Sequence, residues 1–216
     1  DKVASKRPDK YIAISKDVKQ RIKKYYDLDS QVIFPPVEIK NVDEELKTED
    51  KDYYLIVSRL VYYKRIDLAI KAFNKLNLKL KIIGVGGEEA NLKKIAGENI
   101  EFLGNLTEDM LSVYYKNCKA LIFPGREDFG LVMVEAQSFG KPVIAFKKGG
   151  ALDIIKEGVT GEFFETQSEE SLIKALEKFK NKSYNETLCK ENAQRFSFEN
   201  FKKQILETIN LNLKTI

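Results

Sequence analysis

Short apolar runs alternate with amphipathic stretches along most of this 216-residue chain. That alternation predicts an α/β protein with a parallel sheet and helices on both of its faces. Two further observations support it. Runs such as YYLIVS (53–58) and KALIFPG (119–125) are apolar at successive positions, as strands buried on both faces are. The stretches between them carry helical periodicity, as in Ile66, Ala69, Ile70 and Phe73.

Taken in order, YIAIS (11–15) reads as a strand and Lys16 to Tyr26 as a helix. QVIFPPV is a short strand closed by Pro35-Pro36, since paired prolines stop any regular element. Residues 35–51 are charged, lack apolar periodicity and read as a linker or exposed loop. Then follow the strand 53–58, the helix of Ile66 to Phe73, and the strand LKLKIIGVG, which ends in glycines. Glu88 to Ala96 is a short helix and IEFLG (100–104) a strand. Thr107 caps the next helix, whose buried face is Leu111, Tyr114, Tyr115 and Cys118. KALIFPG is a strand, GLVMVEAQSFG a helix stopped by Gly140, and PVIAF a strand. Ala151 to Lys156 is a short helix and GEFF (161–164) a last strand. The tail is helical: one helix starts at Ser168, a second at the capping box Ser183-x-x-Glu186, and Phe198, Phe201, Ile205 and Ile209 line a third. No internal repeat is visible.

Bulk composition excludes several functions. With 43% hydrophobic and 32% charged residues the chain is an ordinary globular one. No apolar run reaches the roughly 18 residues of a membrane span, and no signal peptide is visible. The chain starts at Asp1 rather than methionine, so a piece of a longer protein is expected. A net charge of +4 with intermixed signs argues against a nucleic-acid partner. The first 24 residues are denser in lysine and arginine; they form a solvated face or, on a sharper reading, a peripheral contact with an acidic membrane face or an anionic acceptor. Two cysteines without metal-ligand spacing, Cys118 and Cys189, suit a reducing, cytoplasmic setting. The absence of histidine removes from this chain every His-dependent triad and every His-containing metal site.

A Rossmann-like sheet binds ligands beyond the C-terminal ends of its strands, so those segments carry the candidates. Arg59 and Lys64, in SRLVYYKRID, offer two cations to a diphosphate or stand as surface charges. Gly84-Val85-Gly86-Gly87 departs from a dinucleotide fingerprint, because its third small position would fall on Glu89. A tight turn, open to close approach by a ligand, is the better reading. GREDFGLVMVEA (125–136) holds the strongest pattern: Glu127 in a loop, Phe129-Gly130-Leu131 opening a helix with its unbonded N–H groups, and Glu135 inside that helix among Val132, Met133, Val134 and Ala136. A carboxylate there needs hydrogen bonds, and vicinal ribose hydroxyls supply two; a lysine or water would also serve. Gly149-Gly150 before the next helix is a second possible anion site.

The Glu127-x7-Glu135 spacing, Arg59 with Lys64, and GKPVIAFKKGGALDIIKEGVTGEFF together resemble the donor-binding, C-terminal half of the retaining GT-B glycosyltransferases of family four. Among these, SRLVYYKRIDLAIKAF and PGREDFGLVMVEAQSFGKPVIAF look closest to mannosyltransferases of surface-polysaccharide synthesis. The resemblance, over 11–206, implies residue roles. Arg59 and Lys64 would hold the donor diphosphate and Glu127 the transferred sugar; these three form the implied catalytic set. Backbone at Phe129, Gly130, Leu131 and Val132 would meet sugar or phosphate, Glu135 the ribose, and Gly104, Asn105 and Leu106 the base. Tyr62 stands where relatives often carry proline. The resemblance further divides the chain into 1–34, a remnant of an N-terminal acceptor domain; 35–51, a linker; 52–196, the nucleotide-sugar domain; and 197–216, a C-terminal helix. Helices at this end usually cross back onto the N-terminal domain, so apolar surface there would be exposed or paired with another copy.

The implied reaction transfers a hexose, mannose by preference, from GDP-mannose or a UDP-sugar to a glycan or lipid-linked acceptor, with retention. No cofactor and no metal is expected, since two cations and a helix terminus would neutralise the leaving group. Lacking the N-terminal acceptor domain, the chain would bind donor with little turnover. Three alternatives stay open: a nucleotide-sugar binding module, a sugar-nucleotide epimerase of the same fold, and a glycosidase using the two glutamates as a carboxylate pair.

Overall fold

The computed structural model describes residues 3–38 and 51–213. Two sheets are present among them. The smaller pairs β1 (Ile12–Ala13) with β2 (Gln31–Val32) in parallel, joined by α1 (Lys16–Tyr26). Ser15 caps α1 by accepting from the Val18 N–H, and Asp27 ends it in the left-handed region at φ 55°.

The larger sheet holds β3 (Tyr54–Val57), β4 (Leu80–Ile83), β5 (Ile100–Gly104), β6 (Leu121–Phe123), β7 (Val143–Phe146) and β8 (Gly161–Phe164). All neighbours are parallel and the order is β5-β4-β3-β6-β7-β8. This is the doubly wound Rossmann order, in which the winding reverses between β3 and β6.

Successive strand residues serve opposite layers, which is why both parities are apolar. Tyr54 and Ile56 join one core with Ile70 and Phe73 of α2 (Ile66–Leu76), Leu92 of α3 (Glu89–Ile95) and Leu172 and Leu176 of α7 (Glu169–Lys180). Leu55 joins the other with Tyr115 of α4 (Glu108–Asn117), Met133 of α5 (Leu131–Ser138), Ile154 of α6 (Ala151–Ile154) and Ala193 of α8 (Glu186–Gln194). The expected α/β fold, with helices on both faces, is the one observed.

Two expectations need amendment or fall elsewhere. The helix α8 is capped by Asn185, whose Oδ1 accepts from the Thr187 N–H at 2.8 Å, and not by Ser183. Tyr184 holds the preceding residues out of the helix: its ring stacks on Phe179 and its hydroxyl donates to Glu162 at 2.6 Å. The apolar face of α9 (Phe198–Leu213), expected to be exposed or paired with another copy, is partly uncovered, with Phe198 57% and Ile209 49% exposed, while Thr208 on the same helix is buried and donates to Gln31 Oε1 at 3.0 Å. Most of the charged 35–51 stretch, 39–50, lies outside the described residues.

Candidate functional site

The loops that leave β3 and β6 meet at the reversal point of the sheet. Lys64 ends a 3-10 turn, Tyr62–Lys64, and Arg65 follows it in the left-handed region at φ 54°. Beyond β6, Gly125 lets the second loop pass against the first: a Cβ there would lie 3.1 Å from Lys64 Cα. As a result Lys64 Nζ and a Glu127 carboxylate oxygen form an ion pair, although the two residues are far apart in sequence. Arg59 donates to the Tyr63 hydroxyl at 3.1 Å, and Lys64 Nζ sits 5.4 Å above the Tyr63 ring. Arg59 is exposed and Lys64 half-buried. Burial, and then the adjacent Arg59 guanidinium, pull the Lys64 ammonium below the usual lysine value. Arg59, Lys64 and Glu127 thus occupy neighbouring loops at the C-terminal end of the central strands, as their positions after strands required.

The expected tight glycine turn after β4 supports this geometry. A Cβ on Gly86 would fall 2.3 Å from Leu60 O, and one on Gly84 2.0 Å from Ser58 O. The protein's own backbone approaches Gly84 and Gly86, while the space beside Gly87 is open. Leu60 donates to Val85 O at 3.0 Å and accepts from Glu88 N at 2.9 Å, so the turn braces the Arg59–Lys64 loop.

Gly149-Gly150, read as a possible second anion site, seats the second loop. A Cβ on Gly149 would stand 2.2 Å from Glu127 O, and one on Gly150 2.2 Å from Phe129 O. The Gly150 N–H donates to Glu127 O at 2.9 Å. The helix that follows, α6, has four residues, and the pair's small size is used in carrying the Glu127–Phe129 loop. Phe129 is buried there, stacked on Phe34 and edge-on to Phe196. Gly130 takes φ 97° and starts α5, so the first N–H groups of the helix lie at the same C-terminal end of the strands.

Glu135 lies one turn further along α5, half-buried. Tyr115 donates to its Oε2 at 2.7 Å from the neighbouring helix α4. Burial, and then the Glu135 charge, push the Tyr115 phenol well above the usual value. Glu135 and Tyr115 line a cleft of about 230 Å³ with Glu108, Leu111, Leu131 and Val37. Glu108 begins α4, two residues after the predicted base-binding segment 104–106. In that segment Gly104 takes φ 66°, Asn105 is exposed and Leu106 is partly buried. Gly104 O already accepts from the Gly84 N–H at 2.7 Å.

Several participants escaped sequence reasoning. Tyr115 was assigned to the apolar face of its helix; a tyrosine hydroxyl inside a core requires a partner, but nothing in the sequence points to Glu135. On the other side, Asp17 of α1 accepts from Arg126 at 2.8 Å and Arg21 pairs with Asp128 at 2.7 Å. The two neighbours of Glu127 are therefore both tied to α1. Asp153, buried in α6, accepts from the Lys16 N–H at 2.8 Å and pairs with its ammonium at 3.1 Å. Cys118 and Cys189 are free and buried, and burial pushes their thiols up to about 12 and about 11. Among the described residues, no group of three Cys, Asp or Glu side chains could hold a metal, and no helix is long and apolar enough to cross a membrane.

The chain resembles known proteins in sequence and in fold. Residues 37–196 match the family described as glycosyl transferases group 1. An uncharacterized glycosyltransferase of Methanocaldococcus jannaschii is 31% identical over 209 residues, covering 92% of this chain and 58% of that protein. The O-antigen chain mannosyltransferase C of Escherichia coli is 25% identical over 221 residues, covering 95% of this chain and 58% of that protein. This chain thus spans a little over half the length of either. The lipopolysaccharide outer core galactosyltransferase WaaB shares the fold at a TM-score of 0.82 and 23% identity, over 94% of this chain and 62% of that one.

Proposed function

This chain belongs to the glycosyl transferases group 1 family, and on that basis we propose that it binds the nucleotide-sugar donor in a hexosyl transfer that proceeds with retention. The observation that carries the reading is the meeting of Lys64 with Glu127 beside Arg59, where the sheet reverses its winding. A diphosphate and a sugar ring need cations and a hydroxyl acceptor side by side, and these loops supply both. Lys64 and Arg59 take the developing charge of the departing diphosphate, together with the first N–H groups of α5. Glu127, exchanging Lys64 for sugar hydroxyls, orients the hexose. Glu135 accepts from the ribose, and the segment 104–106, two residues before Glu108 of the same cleft, is read as meeting the base. No metal is required, because fixed cations do the neutralising.

Mannose is the sugar we favour, on the strength of the mannosyltransferase among the relatives; GDP-mannose is then the donor, with a UDP-sugar as the competitor. The acceptor is a glycan or lipid-linked glycan. Residues 1–34 are read as the closing part of an acceptor-binding half, so this chain alone binds donor with little turnover.

A thermal-shift titration with GDP, UDP, ADP and their sugar conjugates, without added metal, tests the reading. At one hundred times Kd a ligand adds about 2.7 kcal/mol, and a domain of this size gains about 2–4 °C per kcal/mol. A rise of about 5–10 °C with one nucleotide, lost in Arg59→Ala and Glu135→Ala, is expected. An unchanged melting temperature with all of them at millimolar concentration would sink the donor-binding reading.

A further inference from the structure

We infer that Tyr115 is a positioning residue for the Glu135 carboxylate, and that through it the protein selects a ribonucleotide over one lacking the ribose hydroxyls. The inference rests on the donor-binding reading of Glu135 given above and adds the group that makes this carboxylate selective.

A glutamate on a helix surface samples several side-chain rotamers, each aiming its oxygens differently. Recognition of two adjacent hydroxyls needs one of them. The Tyr115 hydroxyl fixes the choice from a separate helix, at 2.7 Å from Oε2, a length typical of a charge-assisted bond. The donor itself is held rigidly. Its residue is 1% exposed, its ring stacks on Phe139 at 5.5 Å and 12°, and Cys118 Sγ donates to its carbonyl at 3.3 Å. The phenol stays protonated across the working pH range, since burial and the Glu135 charge both oppose its ionisation. An ionised carboxylate has about four lone-pair positions, of which the tyrosine bond takes one, and a diol competes for the others.

The fold alone does not call for this pair. A phenylalanine at 115 would keep the stacking, and an apolar residue at 135 would keep the helix packing; replacing both partners of a buried hydrogen bond by apolar groups is nearly neutral. The bond instead faces a cleft of about 230 Å³, one turn into α5 from the loop that carries Glu127.

The test is calorimetric titration of the whole chain with GDP and UDP, each against its 2′,3′-dideoxy counterpart, for the parent, Tyr115→Phe, Glu135→Ala and the double variant. We expect the parent to prefer the ribonucleotide. Tyr115→Phe is expected to weaken it about tenfold, equivalent to ~1.4 kcal/mol, with the dideoxy compound changed less than about twofold. In the Glu135→Ala background, Tyr115→Phe is expected to have no further effect. A purely structural tyrosine would weaken both ligands equally or neither. A parent that prefers the ribonucleotide and a Tyr115→Phe variant that keeps the preference overturn the inference while leaving the donor site intact. A parent that binds but does not discriminate, with Glu135→Ala matching it, overturns the assignment of Glu135 to ribose and this inference with it.

Discussion

Replacing Lys64 by methionine keeps the stem and removes the charge from the centre of the proposed diphosphate site. Two effects with different readouts follow. The Lys64 and Glu127 side chains are 14% and 26% exposed, so their pair lies between a surface ion pair, worth about 0–1 kcal/mol, and a buried one, whose disruption costs about 3–5 kcal/mol. Glu127 is left against a half-dry loop but can still recruit water. A loss of about 1–2 kcal/mol is expected, and the melting temperature falls by about 2–8 °C. The second effect concerns the ligand. A hydrogen bond to a charged group contributes about 1.5–3 kcal/mol, so the affinity for the bound nucleoside diphosphate falls roughly 10- to 150-fold. The monophosphate presents less charge to Lys64 and loses less. Titration of the parent and of Lys64→Met with GDP against GMP, or UDP against UMP, therefore shows the preference for the diphosphate collapsing in the variant. If the ratio of the two dissociation constants is the same in both proteins, Lys64 does not read the second phosphate, and the assignment of this loop is wrong.

Three further outcomes are expected. Gly150→Ala places a Cβ 2.2 Å from Phe129 O, where only backbone can yield; overpacking of about 1–3 kcal/mol lowers the melting temperature and weakens nucleotide binding together, read from one thermal-shift series. Glu162 is fully buried in β8, where burial raises its pKa but bonds from Lys178, Lys182 and Tyr184 overcome this and leave it lowered. A lowered carboxylate stabilises the fold above its unfolded value and loses that contribution as pH falls through the folded one, so urea unfolding of the parent weakens below about pH 4.5 more steeply than that of Glu162→Gln; equal slopes would remove Glu162 from the account. Asp153→Ala frees both the N–H and the ammonium of Lys16, and a cost of about 1.5–3 kcal/mol appears as faster proteolysis within residues 3–38, with the larger sheet still protected.

Legibility in the sequence followed the range of each interaction. The strand and helix succession was readable because it depends on local periodicity: IEFLG is β5, and Thr107 caps α4 by accepting from the Met110 N–H. The Glu127-x7-Glu135 spacing was readable for the same reason, since a loop and the second turn of the following helix are near neighbours in the chain. Caps were less secure. Ser183-x-x-Glu186 fits a local rule, yet Tyr184 is taken by Glu162 and Phe179 and the helix starts at Asn185. The glycines are legible as turns, but the backbone that Gly84, Gly86, Gly149 and Gly150 admit comes from another loop, which no local pattern reveals.

The sequence by itself determined the alternation of elements, the two-sided burial of the strands and the loops on which charged residues could gather, all consequences of short-range propensity and apolar pattern. Tertiary structure decided which of those residues touch. Lys64 meets Glu127 only because β3 and β6 are neighbours at the winding reversal and Gly125 lets their loops close up. Tyr115 meets Glu135 only because α4 and α5 pack on the same face of the sheet. Strand order and helix packing are set by the whole core at once, and no window of the chain contains them.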